Sequence, residues 1–83
     1  MSNGNVTDPM HDLEVSLWIG KGGVTAGIIE ELNAQLESNE FVKVRVLRSA
    51  LGTQNVEEVA TMLSEKCSGN VIDTRGHTAV IAR

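Results

Sequence analysis

Aromatic rings are almost missing from these 83 residues: Trp18 and Phe41 are the only two, and there is no tyrosine. A surface that reads nucleic acid through an array of stacking rings is thereby excluded. Cysteine is as scarce, and the single Cys67 can neither close an internal disulfide nor build a cysteine-based zinc site, so a reducing cytoplasm fits best. No run of about 18 apolar residues offers a membrane span, and no basic segment followed by an apolar one stands near Met1. A soluble, unexported protein is expected. The one proline, Pro9, lies in the polar opening MSNGNVTDPMHD, so residues 1–12 read as a loosely ordered tail.

What remains is enough for one small domain, residues 13–83. Hydrophobic residues make up 41% of the chain, which places it outside the disordered class despite a net charge of −4. From Leu13 the pattern alternates, with Leu13, Val15, Leu17 and Ile19 on one side and Glu14, Ser16 and Trp18 on the other, as in a half-buried strand. After Gly20-Lys21-Gly22-Gly23, Ile28, Ile29, Leu32 and Leu36 recur on one face of a helix over Thr25 to Ser38. A second strand follows from Phe41 to Leu47. Asn55 opens a second helix, with Glu58 placed for a capping box and a buried stripe of Val56, Val59, Ala60, Leu63 and Cys67. Gly69 is expected to take a left-handed conformation just past it, and Gly27 to allow close approach of the first helix to the sheet. Two short strands, Asn70 to Thr74 and Thr78 to Ala82, flank an Arg75-Gly76-His77 turn.

The order β-α-β-α-β-β predicts a two-layer α/β sandwich: a mixed, mostly parallel four-stranded sheet with both helices on one face, if the strands run outward in chain order. The other face stays open, which accounts for the alternation in the first two strands. Sorting the charges on this scheme makes the molecule dipolar. Glu30, Glu31, Glu37, Glu57, Glu58 and Glu65 fall on helices, while Lys21, Lys43, Arg45, Arg48, Arg75 and Arg83 fall on strands or loops. Helix exteriors are often acidic for solubility alone, so this pattern needs a second signal.

That signal is the GKGG loop. Glycines let a backbone approach an anion closely, the helix start presents unpaired N–H groups, and Lys21 adds a point charge, so phosphate is the natural guest. Neither the P-loop spacing nor the dinucleotide fingerprint is present, which argues against nucleotide hydrolysis. Trp18 beside Lys43 and Arg45 on the open face suits a phosphate backbone with one stacked base, although packing of Trp18 under the tail is the plainer account.

The stretch VSLWIGKGGVTAGIIEELNAQLESNEFVKVRVL resembles the central segment of the CRM (chloroplast RNA splicing and ribosome maturation) or YhbY-like RNA-binding family. Ile19 to Gly23 match its Ile-Gly-x-x-Gly loop, Thr25 to Glu37 its acidic-faced helix, and Glu40 to Arg45 the acid preceding a Lys-Val-Arg strand. Asp73 to Arg83 is similar to the family's terminal hairpin. The resemblance implies a fold like the C-terminal domain of bacterial initiation factor three. It implies RNA binding through Gly20, Lys21, Gly22, Gly23, Lys43, Arg45 and Arg83, with Trp18, Arg48 and Arg75 as candidate further contacts. Ribosomal RNA or pre-ribosomal particles are the implied partners, with a place in ribosome assembly and no cofactor, membrane or small-molecule substrate.

Other readings stay open. A KH domain also carries Ile-Gly-x-x-Gly, but there the loop joins two helices. A protein-interaction module could use the same open face to hold an acidic partner. His11 and His77 have no partner at metal-ligand spacing, Cys67 reads as core, and Asp73 with Arg75 reads as a surface ion pair, so no catalytic constellation stands out.

Overall fold

The computed structural model describes residues 13–83; the tail expected over residues 1–12 lies outside them. Among the described residues the elements are β1 (Val15–Ile19), α1 (Ala26–Ser38), β2 (Phe41–Val46), α2 (Arg48–Leu51), α3 (Val56–Lys66), β3 (Asn70–Arg75) and β4 (Thr78–Ala82). The strand order is β1-β2-β4-β3, with β1 parallel to β2 and β4 antiparallel to both its neighbours. The mixed two-layer α/β fold is therefore as expected, and β1, β2 and β3 share one direction. The strands do not, however, run outward in chain order, so only the β1-β2 pairing is parallel where a mostly parallel sheet was expected. In β4, Ala79, Val80 and Ile81 are all buried, whereas β3 carries Asp73, Thr74 and Arg75. The strand that is apolar on both faces takes the interior position, and the polar one takes the edge.

Leu32 and Leu36 of α1 and Val56, Val59 and Leu63 of α3 form one cluster with Leu17, Ile19, Val42, Val44, Val46 and Ile81 of the sheet. Both long helices thus cover the same sheet face. Thr25 caps α1 through a bond from the Ile28 amide at 3.2 Å, and Asn55 and Glu58 form the expected reciprocal capping box on α3.

Several local expectations need correction. The alternation of β1 is broken by a bulge at Ser16: Val15 is paired with Lys43 but Leu17 with Val44, so Val15 leaves the apolar stripe. Gln35 of α1 answers the bulge, accepting from the Ser16 hydroxyl at 2.6 Å and donating to the Ser16 carbonyl at 3.0 Å, which blunts the sheet edge. β2 ends at Val46, and Arg48 opens the short helix α2, which four residues are too few to announce by periodicity. The hairpin turn is tighter than expected, Gly76-His77, with Gly76 at φ 59°.

Gly69 is not left-handed. Among the described glycines φ is positive only at Gly23, Gly52 and Gly76, and α3 is capped by Cys67 in an extended conformation instead. Gly69 is glycine for space: a Cβ there would lie 2.6 Å from the Ala82 carbonyl oxygen and 2.9 Å from Leu36 Cδ1. Gly27, assigned to a close helix-sheet approach, instead faces solvent, where a Cβ would meet only Thr25 Oγ1 at 3.8 Å. Gly27→Ala is therefore expected to stabilise the domain by about 0.5 kcal/mol, read as a higher urea midpoint. A lower midpoint would show that the helix start is tighter than it looks.

Candidate nucleic-acid interface

The parallel β1-β2 pair delivers the GKGG segment to one end of the sheet. There the Gly23 amide donates to the Gly20 carbonyl at 2.8 Å, closing a tight turn that leaves Lys21 and Gly22 exposed at its tip. The backbone is left-handed at Gly23, φ 70°, so that position requires glycine. Gly20 and Gly22 do not: a Cβ would lie 3.9 Å from Leu47 Cδ1 at the first and 3.6 Å from Thr25 Cγ2 at the second, both ordinary contacts. The turn opens directly into α1, whose first turn holds no acid, whereas α3 starts with Glu57 and Glu58. The positive end of α1 is thus left without a side-chain counter-charge.

Register carries the site across the sheet. Trp18 is opposite Arg45, Arg45 opposite Thr78, and Thr78 opposite Arg75, one row on the open face at the end nearest the turn. His77 fastens this end: the Val46 amide donates to the His77 carbonyl at 2.7 Å, and His77 Nδ1 lies 3.2 Å from the Val46 carbonyl. Since a carbonyl only accepts, Nδ1 is assigned the proton, and the ring is a structural tie. Arg45, Val46, Leu47, Arg48 and His77 line a cleft of about 270 Å³ beside it. A hollow of about 400 Å³ on the outer side of α3 is lined by Glu57, Glu58 and Glu65 and would repel an anion.

The residues singled out from the sequence therefore divide. Gly20, Lys21, Gly22, Gly23, Trp18, Arg45, Arg48 and Arg75 converge on one end of the molecule. The side chains of Lys21, Arg45 and Arg48 make no hydrogen bond or ion pair with the described residues, while Arg75 pairs loosely with Asp73 at 3.7 Å. Lys43 is half-buried in mid-sheet, and its ammonium donates to the Leu13 carbonyl at 3.1 Å. Arg83 is at the far end, roughly 16 Å along β4 from Thr78, where its guanidinium donates to the Leu36 and Glu37 carbonyls at 3.2 and 3.3 Å. Those bonds satisfy the last turn of α1. Leu47, exposed beside Gly20, and the His77 tie were passed over, because neither an isolated Leu nor a turn histidine carries a spacing signal. Among the described residues no group of three or more His, Cys, Asp or Glu could hold a metal ion.

The architecture and site are those of a small two-layer α/β domain with a glycine-lysine turn at the cationic end of its sheet. The CRS1 / YhbY (CRM) domain matches residues 5–83, and the chain belongs to that family. It is 33% identical over 73 residues to the probable RNA-binding protein MJ0652 of Methanocaldococcus jannaschii, covering 88% of this chain but only 54% of that protein. The probable RNA-binding protein YqeI of Bacillus subtilis is 32% identical over 71 residues, with 86% and 72% covered. The solution structure of the protein SAV1595 of Staphylococcus aureus superposes with a TM-score of 0.71 at 32% identity, covering 88% of this chain and 74% of that one.

Proposed function

We propose that this chain binds RNA without catalysis, gripping backbone phosphates between the GKGG turn and the cations Lys21, Arg45 and Arg48, and that its ligand in the cytoplasm is ribosomal RNA or a pre-ribosomal particle. The observation that carries this is the surplus of glycine at the turn: half-buried Gly20 and exposed Gly22 both have room for a side chain and lack one. A bare backbone there leaves N–H groups approachable by phosphate, and the unneutralised start of α1 adds to the attraction. The names of two relatives, both probable RNA-binding proteins, point the same way. Arg75 contributes weakly because Asp73 offsets it, and Arg83 and Lys43 matter first for holding α1 and Leu13 in place.

The test is a titration with structured ribosomal RNA fragments at low and near-physiological salt, comparing wild type with a Lys21→Glu, Gly22→Asp double variant. Neither position is buried or left-handed, so the variant should fold. Wild type should bind saturably and weaken linearly in log salt; the variant should lose at least about tenfold in affinity and flatten the salt slope by about one. Equal binding by both would remove the turn from the mechanism and move the reading to a protein partner on the open face.

A further inference from the structure

Trp18 is 54% exposed although it is one of only two aromatic side chains in the protein. Its register partner is Arg45, whose side chain is unpaired among the described residues, and just past the end of β2 stands Leu47, also exposed. Gly20, next after β1, has no side chain, and a Cβ there would stand 3.9 Å from Leu47 Cδ1. Lys21, at the GKGG tip, is no more than about 11 Å of chain beyond Trp18. An exposed ring, an exposed leucine near it and a cation at its flank form a surface for a flat, electron-rich group tethered to an anion.

We propose that Trp18 is the stacking platform for one unpaired base, so that the RNA taken by this surface carries an unpaired nucleotide next to the backbone segment held by the turn. The inference rests on the phosphate-clamp reading and narrows it from RNA in general to bulges, loops and junctions. The physical reason is access. In a continuous duplex both faces of every base are covered by neighbours, and the A-form major groove is too deep and narrow for a side chain rooted on a sheet. An indole on a flat strand therefore finds a π-face only where a base has left the stack. Arg45 favours the same ligand, since a guanidinium can pair with the adjoining phosphate or lie against the base. The exposed ring rules against an acidic protein loop as the better fit: such a loop would satisfy the cations but leave the indole unused.

The experiment uses two end-labelled RNA duplexes of identical sequence and ends, one fully paired and one with a single unpaired adenosine at its centre, against the full chain. Wild type should prefer the bulged duplex by about tenfold, the scale of one base stacked on one ring, and that duplex alone should quench Trp18 emission saturably. Trp18→Ala should bind both duplexes at the paired-duplex level, and Trp18→Phe should keep part of the preference. Equal affinity of wild type for the two duplexes, or a preference that survives Trp18→Ala, overturns the proposal. If both duplexes bind alike and both are lost in the Lys21→Glu, Gly22→Asp variant, the clamp stands and the platform falls; if neither duplex binds wild type, both fall together.

Discussion

Adding one carbon at Gly69 is expected to remove about 3 kcal/mol of stability, the upper part of the range for overpacking a tight site. The methyl of Gly69→Ala would be placed 2.6 Å from the Ala82 carbonyl oxygen, 2.8 Å from Ile81 Cγ2 and 2.9 Å from Leu36 Cδ1. Of these the carbonyl cannot yield cheaply: it belongs to β4 at its pairing with β2 and β3. Leu36 is no freer, being buried in the α1 stripe just where Arg83 binds its carbonyl. Relief would require moving the end of α3 off the sheet. A domain of this size has roughly 4–12 kcal/mol in hand, so the loss should pull the urea midpoint down by at least 1 M with the slope unchanged. Gly27→Ala is the matched control, the same added methyl in open space. An unchanged midpoint for Gly69→Ala would mean that the α3-β3 junction has slack the packing does not reveal.

Gly69 also shows where sequence stops being informative. A glycine one or two residues past a helix usually supplies a left-handed cap, and nothing local distinguishes that from a glycine demanded by a strand 13 residues later in the chain. Ser16 is similar, since its bulge depends on Gln35 reaching across from α1. Elements carried by periodicity were legible: the stripe Leu32 and Leu36, the cap at Asn55, and the alternation of Val42, Val44 and Val46 each state their own geometry. The inner place of β4 was legible in principle from the unbroken Thr78-Ala79-Val80-Ile81-Ala82, but the rule of outward order masked it. For the site, the turn was visible because glycine and lysine at a strand-helix junction state their chemistry locally. Division of the cations was not, because it depends on which backbone carbonyl each long side chain reaches: Lys43 finds Leu13 and Arg83 finds the end of α1.

That division has a consequence for the field of the molecule. Acidic residues on α1 and α3 lie behind the sheet, and the three cations without partners among the described residues lie at the turn end. A chain of net charge −4 can therefore still present a positive end, orienting a polyanion toward the turn while the helical side repels it. Net charge is a poor guide to partner here because the two signs occupy different layers.

Truncating Ile19 should separate folding from binding at this end. Its side chain is wholly buried against the helices, and its carbonyl accepts from the Leu47 amide at 2.9 Å, so the residue anchors the strand immediately before Gly20. Ile19→Ala leaves a cavity of three carbons among side chains held by two helices and a sheet, and should cost about 3–4 kcal/mol; Ile19→Val should cost about 1. The turn itself keeps its residues and its closing bond, so the lesion lies in the population of folded chain and not in the phosphate contacts proposed for the turn. RNA at a hundredfold excess over its dissociation constant should then restore about 2.7 kcal/mol by mass action alone. Melting curves with and without a ribosomal RNA fragment read both quantities. Ile19→Ala should melt early and be shifted upward by RNA as far as wild type is, whereas Lys21→Glu, Gly22→Asp should melt near wild type and be shifted little. If RNA fails to raise the midpoint of Ile19→Ala while still raising that of wild type, the end of β1 positions the turn for binding as well as holding the core.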